Sequence, residues 1–287
     1  MIDLDPATVL LQWAVGGLFL LWVTSRRREV GIGYGWTMRI TFGLMATGSL
    51  VVGLMFNTVP VREAATAGVV VATVVALVVS VLRRRAGVAG QRVVEEQRST
   101  RVAAMTGIDV DVREKARRFA PDVPEFPPVL DLVAPVVGLV ALVAAGVNAG
   151  DPALLSVART LVGAVFLGAV SDAMLLGHWY LVQPGLARGP LVELVRWTGA
   201  AWPFELAVLL WPTGMVSVLN GTIDDGYNGL LGWFWVACVV STIALVVLAW
   251  AALRERQYSA VMAATGLLYL AILTAFGMDL VARAVLA

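Results

Sequence analysis

The chain has 287 residues, of which 59% are hydrophobic and 14% charged, with a formal net charge of +1 and a mean hydropathy of +0.84. A soluble domain carries about a quarter of its residues charged, so this chain has too little polar surface to cover itself in water. Its charge balance gives no case for nucleic-acid binding; its one cysteine (Cys238) excludes an intramolecular disulfide or a Cys-based zinc cluster, and its one histidine (His178) excludes a haem held by two His of one chain.

A bilayer core needs roughly 20 apolar residues in helical form, because only a helix or a closed barrel satisfies its own backbone there. Apolar runs of that kind occupy residues 6–24, 36–56, 63–82, 129–147, 153–182, 198–219, 228–253 and 259–286, and none alternates as a barrel strand would. The sequence therefore predicts an all-α fold, a polytopic transmembrane bundle of about eight spans arranged as four hairpins. Residues 1–82 hold three spans, 83–128 a basic amphipathic segment, and 129–287 five further spans.

Orientation follows from the basic residues. The connections after the first, third, fifth and seventh spans hold 17 of the 21 Lys and Arg, including Arg26, Arg27, Arg28, Arg83, Arg84, Arg85, Arg188 and Arg254. The opposite side shows Asp3, Asp5, Arg62, Glu63, Asp151, Asp224 and Asp225. The positive-inside rule places the basic side in the cytoplasm and both termini outside, in a plasma (inner) membrane. The acidic N-terminal stretch does not read as a signal peptide, so the first span is expected to stay. The turns 26–31 and 254–259 are faintly alike, a resemblance that the positive-inside rule explains as well as an internal repeat would.

Within 83–128, Asp111 and Glu114 have the spacing of a capped helix start, followed by Lys115, Arg117 and Arg118. This reads as a helix lying on anionic lipid or as a docking surface for a cytoplasmic partner. A proline-rich elbow with Pro121, Pro124, Pro127 and Pro128 leads into the fourth span.

Ionisable groups inside spans mark function by default. Asp172 ends the i, i+4 row Thr160, Ala164, Gly168, Asp172, whose small residues let another helix approach closely and turn the carboxyl inward. Counted from Arg196, Glu205 lies nine residues into the sixth span, near the depth of Asp172 on the adjoining helix. The expectation is a shared proton or cation site of Asp172 and Glu205, with His178 at its mouth, although Asp172 and His178 point about 120° apart on an ideal helix. The bland readings are a hydrogen-bonded carboxyl and a structural histidine, flanked by the interfacial anchors Trp179 and Tyr180.

In the sixth span, Pro212 removes a donor and frees the carbonyl of Val208, so a kink is expected. Asp279 and Arg283 read as an interfacial i, i+4 pair, and Arg39 as a side chain reaching up to the inner surface. Asp224, Asp225 and Asn228 read as a solvated turn or a weak cation site, and 220–222 fits a glycosylation acceptor. Nucleotide-loop, zinc-protease, serine-hydrolase and dinucleotide motifs are all missing, which argues against an enzyme of those types; no metal or cofactor is implied. Three functions fit: a small-solute or ion-coupled transporter, a membrane subunit or assembly factor of a larger and possibly respiratory complex, and an intramembrane lipid-modifying enzyme. The expected partners are the lipid bilayer, other membrane subunits, and anionic lipid or a cytoplasmic protein at 83–128.

Overall fold

A computed structural model of the chain describes residues 5–88, 93, 124–183, 186–255 and 257–286. The capped basic stretch expected at 111–118 lies outside them. Among the described residues all regular structure is helical: α1 (Pro6–Ser25), α2 (Ile32–Phe56), α3 (Pro60–Leu82), a short 3-10 turn (Arg84–Ala86), α4 (Leu130–Asn148), α5 (Ala153–Val182), α6 (Gly189–Leu210), α7 (Gly214–Leu219), α8 (Leu230–Arg254) and α9 (Tyr258–Val285). Seven of the eight long helices have the length and apolar character to cross a membrane. The eighth, α6, is set apart by Glu193, Arg196 and Glu205. The protein is a multi-pass membrane helical bundle.

Local chemistry fixes several helix starts. Pro6 opens α1 with its φ already helical and no N–H to waste, while the Asp5 carboxylate accepts from the amides of Ala7 and Thr8. Pro60 opens α3 in the same way. Asp225 accepts from the amides of Tyr227, Gly229, Leu231 and Gly232, at 2.8–3.3 Å, and so ties the preceding turn to the start of α8. That carboxyl feels slight burial pushing it up, but the four donors outweigh it and hold it below the usual carboxylate range. Its role is a helix cap.

The long helices form two rings. α1 packs on α2, α2 on α3, α3 on α4, and α4 back on α1; α5 packs on α6, α6 on α8, α8 on α9, and α9 back on α5. The rings meet where α5 lies against α1 and α4. α1 is the most enclosed span, as expected of a helix apolar on every side. The small-residue row of α5 makes that junction. A Cβ on Gly16 would stand 1.8 Å from the carbonyl oxygen of Ala164, and one on Gly168 would stand 2.3 Å from the carbonyl carbon of Gly16. The backbones of α1 and α5 touch there, and Gln12 donates across the same contact to the carbonyl of Thr160 at 2.9 Å.

The sixth span departs from expectation. Its helix begins at Gly189, stops at Leu210 and resumes as the short α7, so the bend expected at Pro212 is a full interruption. Pro203 sits within α6 without ending it.

Candidate functional site

Four ionic groups tie the helices together, three of them buried, and the exposed one at the basic end is the simplest. Arg26 and Arg27 both reach Glu193, each at 2.6 Å, and Arg28 reaches Glu125 at 3.4 Å. Just inside, Arg39 of α2 grips Asp131 of α4 with two bonds of 2.7 and 2.8 Å. Ser80 of α3 accepts from Arg39 and Ser25 of α1 donates to Asp131, so every helix of the first ring contributes. Arg39 is therefore buried and paired and does not reach up to the surface. The sequence reading passed over Asp131 because it stands at the very start of its span.

At the opposite end of the same ring, Arg62 is held by Asp5, Glu63, Thr8 and the carbonyl of Asn57. The Glu63 carboxylate nests on Gly53, where a Cβ would stand 2.4 Å from its Oε1.

The second ring carries the fourth group. Arg283 donates from Nε to both oxygens of Asp279, at 3.0 and 2.9 Å. The pair forms as its spacing predicts, and it is buried against the bundle, with Asp279 0% and Arg283 1% exposed. Over Gly163 of α5, the Nε2 of Gln12, the Nη2 of Arg283 and the Oδ1 of Asp279 converge to 2.6, 3.2 and 3.3 Å of where a Cβ would stand. The space is polar and admits no side chain at that position.

Glu205 belongs to this group. It is fully buried, and its electrostatic neighbours are Asp279, Arg283 and Arg159. Its carboxyl lies against that of Asp279, yet neither of its oxygens has a hydrogen-bond donor among the described residues. Two ionised carboxylates have no proton to share; one proton between them would supply the missing bond. Arg159 closes the site. Its Nε donates to the carbonyl of Val208 at 2.7 Å and its Nη2 to that of Trp211 at 2.8 Å, the two carbonyls at the broken end of α6. Gly214, which opens α7, fits beneath: a Cβ there would stand 2.0 Å from the carbonyl oxygen of Leu209 and 3.4 Å from the Arg159 guanidinium.

The structure does not bring Asp172, Glu205 and His178 together. α6 begins at Gly189, two turns before Arg196, so Glu205 lies sixteen residues along it, roughly 24 Å from that end. Asp172 lies ten residues, roughly 15 Å, from the end of α5. The two carboxyls stand at different depths with different neighbours. Asp172 is fully buried, as the small-residue row implied, within electrostatic reach of Tyr34 of α2. His178 is exposed on the outside of the bundle, its Nδ1 2.9 Å from the hydroxyl of Tyr269. Arg159 and Asp131 are the functional-looking residues that sequence reasoning missed. For Arg159 a signal existed, since an arginine inside an apolar run needs a partner and Val208 had a carbonyl to offer.

Among the described residues no three His, Cys, Asp or Glu side chains gather as a metal site. No protein-family profile matches this chain, no curated protein is significantly similar to it, and no solved structure matches its fold. What the fold and the site define is a class: a multi-pass membrane protein with a buried carboxylate–arginine group beside an interrupted helix.

Proposed function

We propose that the protein is a small-solute or ion-coupled transporter whose protonatable pair is Glu205 and Asp279. The observation that carries this reading is the Glu205 carboxyl, wholly buried, without a donor, and five residues before the end of α6. Charged groups within a membrane are costly and are kept for function, and transporters place ion and substrate sites where a spanning helix is interrupted. With Glu205 ionised, the two carboxylates balance Arg159 and Arg283. Binding a proton leaves one positive charge in excess, a change that alters how tightly α6, α7 and α9 hold together.

The test is charge displacement. Proteoliposomes adsorbed on a solid-supported membrane should give a transient current on a pH jump, and Glu205→Gln should abolish it while leaving the protein folded. A full-sized current from folded Glu205→Gln would sink the reading.

A membrane subunit of a larger assembly is the second reading. It is supported by an open apolar groove between α3 and α4, lined by Val59, Val61, Leu139, Val140, Val143 and Val147. Extraction in native nanodiscs distinguishes it: a subunit leaves the membrane with partners in fixed ratio, a transporter alone or with copies of itself.

A further inference from the structure

Asp172 takes no part in the site described above, and its surroundings have their own logic. Both of its oxygens are buried without a hydrogen-bond donor. An ionised carboxylate in that position lacks every compensation that burial demands, whereas the acid form loses far less on leaving water. Tyr34 of α2, within electrostatic reach of Asp172, is 2% exposed, its ring set edge-on to Trp179 of α5 at 6.1 Å and its buried hydroxyl likewise without a hydrogen-bond partner among the described residues. Tyr34 also lines a cavity of about 40 Å³ at the basic end, together with Ser25, Arg28, Arg39 and Glu125. That is room for about one water. Tyr34 thus lines a cleft at the basic end and lies within electrostatic reach of the buried carboxyl, with no direct hydrogen bond between the two groups.

We propose that Asp172 is a proton-exchanging carboxylic acid, loaded from the basic end through the cleft and the hydroxyl of Tyr34. The ligand is a proton delivered by water. In the step, a hydrated proton in the cleft passes to the phenol oxygen and leaves as water, while the phenol passes its own proton through one bridging water to a carboxylate oxygen of Asp172; the reverse order returns it. The groups that set the charge around this route are few. Thr24 of α1 and Tyr180 of α5 face Tyr34, Arg39 is neutralised by Asp131, and Arg28 and Glu125 face each other at the rim. Tyr180 in turn faces Glu29 and Arg188. The proposal stands apart from the transporter reading, since it involves neither Glu205 nor Asp279.

Infrared spectroscopy of the protein in lipid at neutral pH tests it. A carboxylic-acid C=O band should appear, shift when aspartate is carboxyl-labelled with ¹³C, and vanish in Asp172→Asn. If that variant does not fold, Asp172→Glu should move the band from the aspartate-labelled to the glutamate-labelled set. In D₂O the band should exchange, and Tyr34→Phe, which keeps the ring against Trp179, should slow that exchange by about tenfold or more. Glu205→Gln should leave band and exchange untouched, so failure here is separate from failure of the transporter reading. Absence of a band from Asp172, or exchange at the wild-type rate in Tyr34→Phe, overturns the proposal.

Discussion

Arg159 donates to the carbonyl of Val208, the group that Pro212 leaves without its helical donor. Carbonyls freed where a helix breaks and kept from water must be met by some other donor. Here one guanidinium on α5 meets two of them, joining α5 to the end of α6. Replacing Arg159 with Leu leaves both carbonyls dry at about 1–3 kcal/mol each, which a lowered unfolding midpoint in detergent should report. Arg159→Lys should recover only part, because an ammonium lacks the planar fork that spans two acceptors.

The α1–α5 junction makes a steric prediction. Gly168→Ala puts a methyl group 2.3 Å from the backbone of Gly16, where nothing flexible can yield. The helices must part, at an overpacking cost of about 1–3 kcal/mol, more for Gly168→Leu. Gly266→Ala, whose added methyl would meet nothing, is the control. Equal stability of the two variants in thermal unfolding would refute the close contact.

The Arg39–Asp131 pair should show strong non-additivity. Asp131→Leu alone leaves a buried guanidinium without its carboxylate and should cost about 3–5 kcal/mol. Arg39→Met alone should cost a similar amount. The double variant should be much closer to wild type, because no charge then remains to be solvated. Additive losses, read from unfolding in mixed micelles, would mean that the pair is not coupled.

Asp225 links the α7–α8 turn to pH. Its carboxyl is held below the ordinary carboxylate range, so the folded state favours the ionised form. The stabilisation is therefore complete above the unfolded carboxylate value and is lost as pH falls through the lower folded value. The protection of the Gly229, Leu231 and Gly232 amides, taken as their exchange rate relative to an unstructured amide at the same pH, should fall under acid conditions in the wild type. Asp225→Ala should show the lowered protection at every pH.

Topology has its own measurement. Cys238 is the only cysteine and is buried, so Cys238→Ala gives a clean background. Single cysteines at positions 98 and 256 should react only from the cytoplasmic side, and those at 151 and 225 only from outside. Labelling of 98 and 225 from one side would overturn the alternating arrangement.

Much of the fold was legible because the bilayer imposes one simple rule, a long apolar run per span. The limits of α5 and the inward turn of Asp172 follow from such runs and from residue size. The start of α6 was not legible, since Glu193 and Arg196 read as a cytoplasmic connection; in the structure Glu193 is neutralised by Arg26 and Arg27, which lets the helix start two turns earlier. That shift moved Glu205 away from Asp172. Its actual neighbours, Asp279 and Arg283, lie more than 70 residues further along the chain, and no pattern local to α6 points to them. Arg39 likewise found Asp131 across 92 residues, a pairing that hydropathy does not encode.

The enclosure of α1 has a consequence for biogenesis. Gln12 finds its acceptor 148 residues later in the chain, and Gly16 finds its counterpart on the same late helix. α1 is made before α5, so it enters the bilayer with its amide unpaired and its glycine face open to lipid. It must wait there while three more spans are threaded beside it. The junction of the two rings thus closes late, when α5 arrives, and until then the amide of Gln12 and the face of Gly16 are without the partners they have in the finished bundle.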